Sequence, residues 1–387
     1  MPSIFETITL GATHCRNRVA MAPLTRNRSS QPGNVPNDLM AQYYAQRAGF
    51  GLIVSEATQI SPQGQGYLWA PGIHSTAQAE GWQRVTRAVH QAGGRMVLQL
   101  WHVGRVSHQS VLPDGMVPVS PSGIGRAGLH TWALRPDGTP GKVECSPPRA
   151  LEAHEIRQTI QDYVRAAQLA LEAGFDGVEI HAANGYLIEQ FMDPTANVRT
   201  DEWGGSMENR ARFARQVYTA VSSAIGAART GIRLSPGAGH GGKPVDPAWR
   251  DLALHLAAHL RGAMYVHLFD HTMGQEPPQA AGCGRPFAAE FRSVFGGPII
   301  LNGGFGSSSW RASDAAHEAQ AALDAGLCDM VAFGKLAISN PDLVARLKGA
   351  AAEGAPLLNQ WDSTTFYGGG AAGYTDYPAL AGHAVVG

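Results

Sequence analysis

The stretch LEAHEIRQTIQDYVRAAQLALEAGFDGVEIHAAN (151–184) sets two periodicities side by side. In its first part Ile156, Ile160, Tyr163, Val164, Ala167 and Leu171 recur at helical spacing and line one face, and Gly174 ends the run. GVEI then reads as a buried strand, and it closes on polar residues, His181 and Asn184. A helix followed at once by a short apolar strand is the repeating unit of parallel α/β folds.

Working outward, strand-like runs occur at RVAMAP (18–23), LIVSEATQ (52–59), RMVLQLWH (95–102), GVEIHAAN (177–184), GIRLSP (231–236), MYVHLFD (264–270), PIILNGGF (298–305) and MVAFGK (330–335). Most are rich in Val, Ile or Leu, as strands are when helices cover them and leave no solvent face. Helical patterns fill the gaps: Trp82, Val85, Val89 and Ala92 precede Gly93, whereas Gly282 to Gly297 gives only a short helical stretch. Eight alternations predict an α/β fold of the (β/α)8 barrel type rather than an open doubly wound sheet. Residues 103–148, rich in Pro, Gly and Ser, are too long for a barrel loop and read as a lid inserted after the third strand. A C-terminal extension starts at Asn359, and the whole chain, 1–387, reads as one domain.

The totals narrow the function. Thirty Lys plus Arg against 31 Asp plus Glu leave no overall field to draw the chain to nucleic acid or a membrane, so a small-molecule partner is expected. Cys15, Cys145, Cys283 and Cys328 contain no C-x-x-C, which suggests neither a disulfide framework nor a thiolate metal site. MPSIFETITLG has no basic region leading into an apolar segment, and no apolar run nears the ~18 residues of a membrane span. The expectation is a soluble, cytoplasmic protein.

Three motifs mislead. GGGAAG (368–373) satisfies G-x-G-x-x-G but neither follows a strand nor opens a helix. GAGHGGK (237–243) nearly spells a P-loop, yet Pro244 stands where a Mg²⁺-binding hydroxyl belongs. His255 and His259 have the spacing of paired metal ligands, but they flank the stripe of Leu252, Leu256 and Leu260 with no carboxylate between them, which reads as a solvated helix flank. His267 and His271 around Asp270, together with His181, keep a metal-dependent barrel hydrolase open as a rival.

Barrel active sites form at the C-terminal ends of the strands. Those ends supply Pro23 to Thr25, Ala57, Gln99, His181 with Asn184, Arg233, Gly303 with Gly304, and Gly334 with Lys335, with Glu56 and Asp270 as the only carboxylates nearby. Hydroxyl, amide and guanidinium groups suit the polar edge of an aromatic cofactor. Small residues and a cation after the last two strands suit a phosphate, so FMN matches the set and no metal is expected. Taken singly, His181 reads equally well as a hydrogen-bonded core histidine, Asn184 as a turn former before Gly185, and Tyr186 as a packing aromatic. Residues three apart face opposite sides of a strand, so His181 and Asn184 reach one pocket only if the chain turns after about His181.

MAPLTR (21–26), SEATQI (55–60), QLWHVGR (99–105), HAANGYL (181–187), DEWGGSMENRARF (201–213), AFGK with NPDLV (332–344) and TFYGGGAAGYTDYP (365–378) together resemble the old yellow enzyme family of FMN-dependent ene-reductases. The last motif especially resembles the pentaerythritol tetranitrate and N-ethylmaleimide reductase branch. The resemblance implies tightly bound, non-covalent FMN in the barrel mouth, with Pro23, Leu24 and Thr25 lining it, Ala57 and Gln99 at the ring edge and Arg233 near N1 and O2. Gly303, Gly304, Gly334 and Lys335 would hold the phosphate; the family usually has Arg at the last position, and Lys keeps the charge but lacks the planar fork.

It further implies that NADPH or NADH is the reductant, and that His181 and Asn184 bind the oxygen of an α,β-unsaturated carbonyl or nitro compound. Tyr186 would protonate the α-carbon. Trp101, Tyr67, Phe366 and Tyr367 would wall the substrate pocket. Nitroaromatics and nitrate esters are further substrate classes, the protein being a monomer or small homo-oligomer. A flavin store or sensor without turnover is the non-enzyme alternative.

Overall fold

Eight short parallel strands pair side by side and close into a ring: β1 (Val19–Met21), β2 (Leu52–Val54), β3 (Met96–Trp101), β4 (Gly177–Ala182), β5 (Thr230–Leu234), β6 (Val266–Phe269), β7 (Ile299–Asn302) and β8 (Met330–Phe333). Closure is explicit in the register, since Glu179 of β4 lies opposite Gln99 of β3 on one side and Gly231 of β5 on the other, and Ala332 of β8 lies opposite Ala20 of β1. This computed structural model describes residues 2–236, 248–269, 285–306, 310–351 and 357–380. The motif at 237–243 and residues Asp270, His271 and Cys283 lie outside the described residues.

Alternation along each strand sorts its side chains. Val178, Ile180, Ile232, Leu234 and Val266 join the large core under the helices, while Ala20, Leu52, Val54, Val97, Ile300, Met330 and Ala332 pack together inside the barrel. Leu10 and Cys15 belong to that inner cluster, carried by an antiparallel hairpin of Ile8–Leu10 and Thr13–Cys15 that the sequence patterns did not reveal. The LIVSEATQ run is not one strand. Leu52–Val54 and Thr58–Gln59 are separate, because the Glu56 N–H turns out of the ladder to the Tyr44 hydroxyl at 2.8 Å.

The covering helices are α1 (Asp38–Ala45), α2 (Thr76–Gln91), α3 (Ala153–Glu172), α4 (Leu187–Met192), α5 (Met207–Ile225), α6 (Trp249–His259), α7 (Arg285–Phe295), α8 (Ala312–Asp324), α9 (Lys335–Ser339) and α10 (Leu343–Lys348). Local chemistry fixes their starts. Ser75 and Gln78 form a reciprocal capping box on α2, and the Ser206 hydroxyl accepts from the Asn209 N–H on α5. Gly93 and Gly174, just past α2 and α3, take φ of 78° and 87°, a conformation that favours glycine. On α6, His259 Nδ1 donates to the His255 carbonyl at 2.8 Å, and His255 Nε2 lies 3.4 Å from Arg215, so the pair is engaged as a helix flank.

Within 103–148 an antiparallel hairpin, His130–Leu134 with Pro140–Glu144, reaches the segment after β2: the Leu68 N–H donates to the Trp132 carbonyl at 2.7 Å, and the Thr131 hydroxyl donates to the Gly66 carbonyl. The C-terminal extension is held by buried arginines. Arg26 donates to the carbonyls of Phe366 and Gly373 at 3.0 and 2.9 Å, and Arg28 to those of Gly370 and Thr365 at 3.0 and 2.9 Å. GGGAAG is therefore a turn that offers carbonyls to arginines. No helix of the described residues is long and apolar enough to cross a membrane.

Candidate active site

A cavity of about 350 Å³ opens at the C-terminal ends of the strands, lined by Pro23, Thr25, Ala57, Gln99, Trp101, His181, Asn184, Tyr186 and Arg233. His181 and Arg233 reach it because they are register partners on neighbouring strands and both point inward. Asn184 arrives by a turn. Strand β4 ends at Ala182, Asn184 takes φ of 61° and Gly185 79°, and Tyr186 then caps α4. That left-handed pair reverses the direction a regular strand would impose, and so brings Asn184 and Tyr186 to the wall His181 occupies.

Polar partners hold the turn. The Asn184 N–H donates to the Ser235 hydroxyl at 2.8 Å, Ser235 donates to Glu189 at 2.7 Å, and the Gly185 N–H donates to the same Glu189 oxygen at 3.2 Å. Gln190 donates to the Gly185 carbonyl at 2.8 Å and to Val103 at 3.0 Å, tying the turn to the loop after β3. Sequence reading missed Ser235, Glu189 and Gln190. The signal available was their place on β5's exit and on the first turn of α4.

Tyr186 sits among rings, 5.0 Å from Trp101 and 5.0 Å from His181 between centroids, and its hydroxyl lies 3.3 Å from that of Tyr67. Burial, and next the Tyr67 phenol, push the Tyr186 hydroxyl well above the usual tyrosine value, so it stands as a protonated donor. Burial likewise pushes Tyr67 up to about 12. Tyr367 lies 6.3 Å from Tyr67 and 5.5 Å from Trp132 of the inserted hairpin, so three segments distant in sequence meet at Tyr367; neither tyrosine lines this cavity, and Tyr67 lines a neighbouring one with Asn184 and Tyr186. Phe366 is placed otherwise: its carbonyl and ring face Arg26, and it is not among the cavity's lining residues.

The remaining expected residues lie at the ends of β7, β8 and β1. Gly303 and Gly304 follow β7 with φ of 158° and 76°, and a Cβ on Gly334, after β8, would come 3.7 Å from Leu24. Lys335 opens α9, is exposed, and its Nζ lies 5.5 Å from the Trp361 ring centroid. These residues suit FMN on two observations. The buried Arg233 Nε has no protein partner, as a guanidinium awaiting a ring edge would not, and the glycine pair after β7 has no side chain to bar the close approach of a phosphate.

Contrary to what the sequence suggests, Glu56 and Asp270 are not the only carboxylates near the strand ends: Glu179 lies fully buried inside the barrel, two residues before His181 and on the same face of β4. It accepts from Gln99 Nε2 at 2.7 Å, His267 Nδ1 at 2.8 Å and the Tyr265 hydroxyl at 3.1 Å. Period-two alternation back from His181 would have found it; the apolar neighbours in GVEI masked it. Glu56, by contrast, accepts from the Arg26 N–H at 3.1 Å and the Tyr44 hydroxyl at 3.3 Å and builds the loop after β2. His267 is thus held by a carboxylate in the interior, and among the described residues no group of three or more His, Cys, Asp or Glu is placed to hold a metal ion.

Comparison with known proteins agrees with this geometry. The NADH:flavin oxidoreductase / NADH oxidase family matches residues 3–353. The chain is 42% identical over 384 residues to 12-oxophytodienoate reductase 1 of Oryza sativa subsp. japonica, covering 96% of this chain and 91% of that one. Among solved structures, morphinone reductase in complex with tetrahydroNAD superposes with a TM-score of 0.89 at 45% identity, covering 99% of each chain. The old yellow enzyme homologue from Zymomonas mobilis gives 0.87 at 41% identity over 98% of this chain and 100% of its own. With an eight-stranded barrel, a polar cavity at its mouth and these relatives, the chain belongs to the old yellow enzyme family of NADH:flavin oxidoreductases.

Proposed function

We propose that the protein reduces the activated C=C bond of α,β-unsaturated carbonyl or nitro compounds, with FMN as resident cofactor and NADPH or NADH as reductant. The observation that carries this is the convergence of His181, Asn184, Tyr186, Gln99 and Arg233 on one cavity. FMN, when bound, supplies hydride transfer, from the nicotinamide to the flavin and then to the β-carbon of the alkene. Thr25, Ala57, Gln99 and Arg233 would hold its ring, with Pro23 and Leu24 alongside, and Gly303, Gly304, Gly334 and Lys335 its phosphate.

The protein's part in the reduction of the alkene is electrostatic and acidic. As hydride reaches the β-carbon, negative charge gathers on the carbonyl or nitro oxygen, and His181 and Asn184 donate to that oxygen. Preorganised donors of this kind are each worth roughly 10²–10³ in rate, because the buried cavity does not let water screen them. Tyr186 delivers its hydroxyl proton to the α-carbon. Trp101, with Tyr67 and Tyr367 beyond it, walls the substrate, Phe366 instead helping to hold the C-terminal extension on Arg26, and residues 103–148 act as a lid within a single domain. The stretch TFYGGGAAGYTDYP supports a place near the pentaerythritol tetranitrate and N-ethylmaleimide reductases, and with it nitroaromatic and nitrate-ester substrates.

The test is the colour cycle. Purified protein absorbs blue light, NADPH or NADH bleaches it without air, and 2-cyclohexenone restores the colour faster than oxygen does. A protein that stays colourless after reconstitution with FMN overturns the proposal; one that bleaches but is not reoxidised by any enone is a flavin store.

A further inference from the structure

Inside the barrel, directly beneath the cavity, Glu179 is an ionised acceptor surrounded by donors. Burial works to raise its carboxyl, but His267, then Arg233 and Gln99, outweigh that cost and hold it below the usual range. His267 is pushed down by its own burial despite Glu179, and its Nδ1 lies 2.8 Å from the carboxylate. A carboxylate without a proton can only accept. The Gln99 amide beside it must therefore turn its NH₂ group to Glu179. Gln99 also lines the cavity, and with one N–H committed to Glu179 the acceptor the amide can offer there is Oε1. Without Glu179 the two ends of that amide would be nearly equivalent.

The same interior fixes Arg233. Its Nη2 donates to Asn302 Oδ1 at 3.0 Å, and Asn302 is itself fixed by donating to the Ala332 carbonyl at 2.9 Å. Glu179 is the carboxylate whose charge acts on the Arg233 guanidinium. Gly231 makes room for the arrangement, since a Cβ there would lie 2.6 Å from the Tyr265 ring whose hydroxyl donates to Glu179.

We propose that Glu179 is a positioning residue: it fixes the Gln99 amide with its oxygen toward the cofactor's ring-edge N3–H, and its charge offsets part of the Arg233 charge felt at that ring. The proposal rests on the FMN reading above. A negative charge held beneath the ring opposes the extra electron density of the reduced cofactor, so it sets a lower midpoint potential than Arg233 alone would. A buried glutamate serving only to pack His267 and Tyr265 would have neither effect.

Two measurements test it. In Glu179→Gln, the side-chain amide can donate to Gln99 Oε1 and release the pinned orientation. FMN affinity is expected to fall at least tenfold and the midpoint potential to shift positive. In a Gln99→Ala background, the same substitution is expected to change affinity little, while the potential still shifts. Unchanged affinity and potential in Glu179→Gln overturn the proposal. So does an equal loss of affinity with and without Gln99.

The second measurement uses the wild-type protein and so stands whether or not the variant folds. Apoprotein titrated with N3-methyl-FMN should bind it at least tenfold more weakly than FMN, and equal binding overturns the assigned amide orientation. If the wild-type protein binds neither flavin, it is the proposed function that fails; normal FMN binding with these contrasts missing removes only the role of Glu179.

Discussion

At the residue scale, the acid is the sharpest commitment. Tyr186 is kept protonated by burial and by Tyr67, so its role does not depend on pH anywhere near neutrality. Tyr186→Phe is expected to leave reduction of the flavin by NADPH nearly intact and to slow enone turnover by roughly 10²–10⁴. Stopped-flow measurement of the two half-reactions checks this, and slowed flavin reduction with normal enone turnover would count against the role. His102 gives a pH signature of a different kind. Its Nδ1 accepts from the Gly104 N–H at 3.1 Å, and burial pushes the imidazole down from 6.5 to about 3. The unfolded chain therefore takes up this proton first. Stability is complete above about pH 6.5 and is lost progressively as pH falls toward about 3. Urea midpoints measured across that window should show the decline, and His102→Asn, whose Oδ1 can accept from Gly104, should flatten it.

At the scale of elements, the active-site turn depends on the loop that leaves β3. Gly104 has φ of 62°, and a Cβ there would lie 2.2 Å from Gln190 Oε1, on the side chain that ties Val103 to Gly185. Gly104→Ala is expected to cost about 1–2 kcal/mol for the left-handed backbone and a further ~1–3 kcal/mol for the displaced buried hydrogen bonds. Denaturant unfolding reads the sum; a loss below about 1 kcal/mol would show that Gln190 moves freely and does not brace the turn. The barrel's eight strands and the long helices were legible in sequence because their periodicities are strong and local. The split of 52–59, the N-terminal hairpin and α4 were not, since each depends on a partner distant in sequence: Tyr44 takes the Glu56 N–H, and the Ala12 N–H donates to the Ala228 carbonyl at 2.9 Å.

At the scale of the whole molecule, the C-terminal extension is joined to the first strand's exit by buried arginines rather than by a strand. Arg26, 0% exposed, donates to carbonyls of the extension and lies over the Tyr374 ring at 5.0 Å, while Tyr374 stacks on Tyr43 at 3.9 Å. Arg26→Met should leave the Gly373 carbonyl without its donor and the Thr365 and Phe366 carbonyls with Arg28 alone. Limited proteolysis is then expected to cut within 357–380 well before the barrel unfolds, with far-UV circular dichroism near wild type. Equal protease resistance would mean that Arg28 and the stacked tyrosines hold the segment alone.

The sequence by itself determined the alternation of strand and helix, hence the barrel, and the residue types at the strand ends, hence a polar mouth suited to a flavin; both follow from local periodicity and composition. Only the tertiary structure decided that His181, Asn184 and Tyr186 share one wall, because that depends on two left-handed residues held by Ser235 and Glu189. Only it gave Glu179 a role: alternation back from His181 puts the carboxylate on the inner face, but its donors are Gln99 of β3, His267 of β6 and Tyr265 just before β6, which converge on it only in the folded barrel.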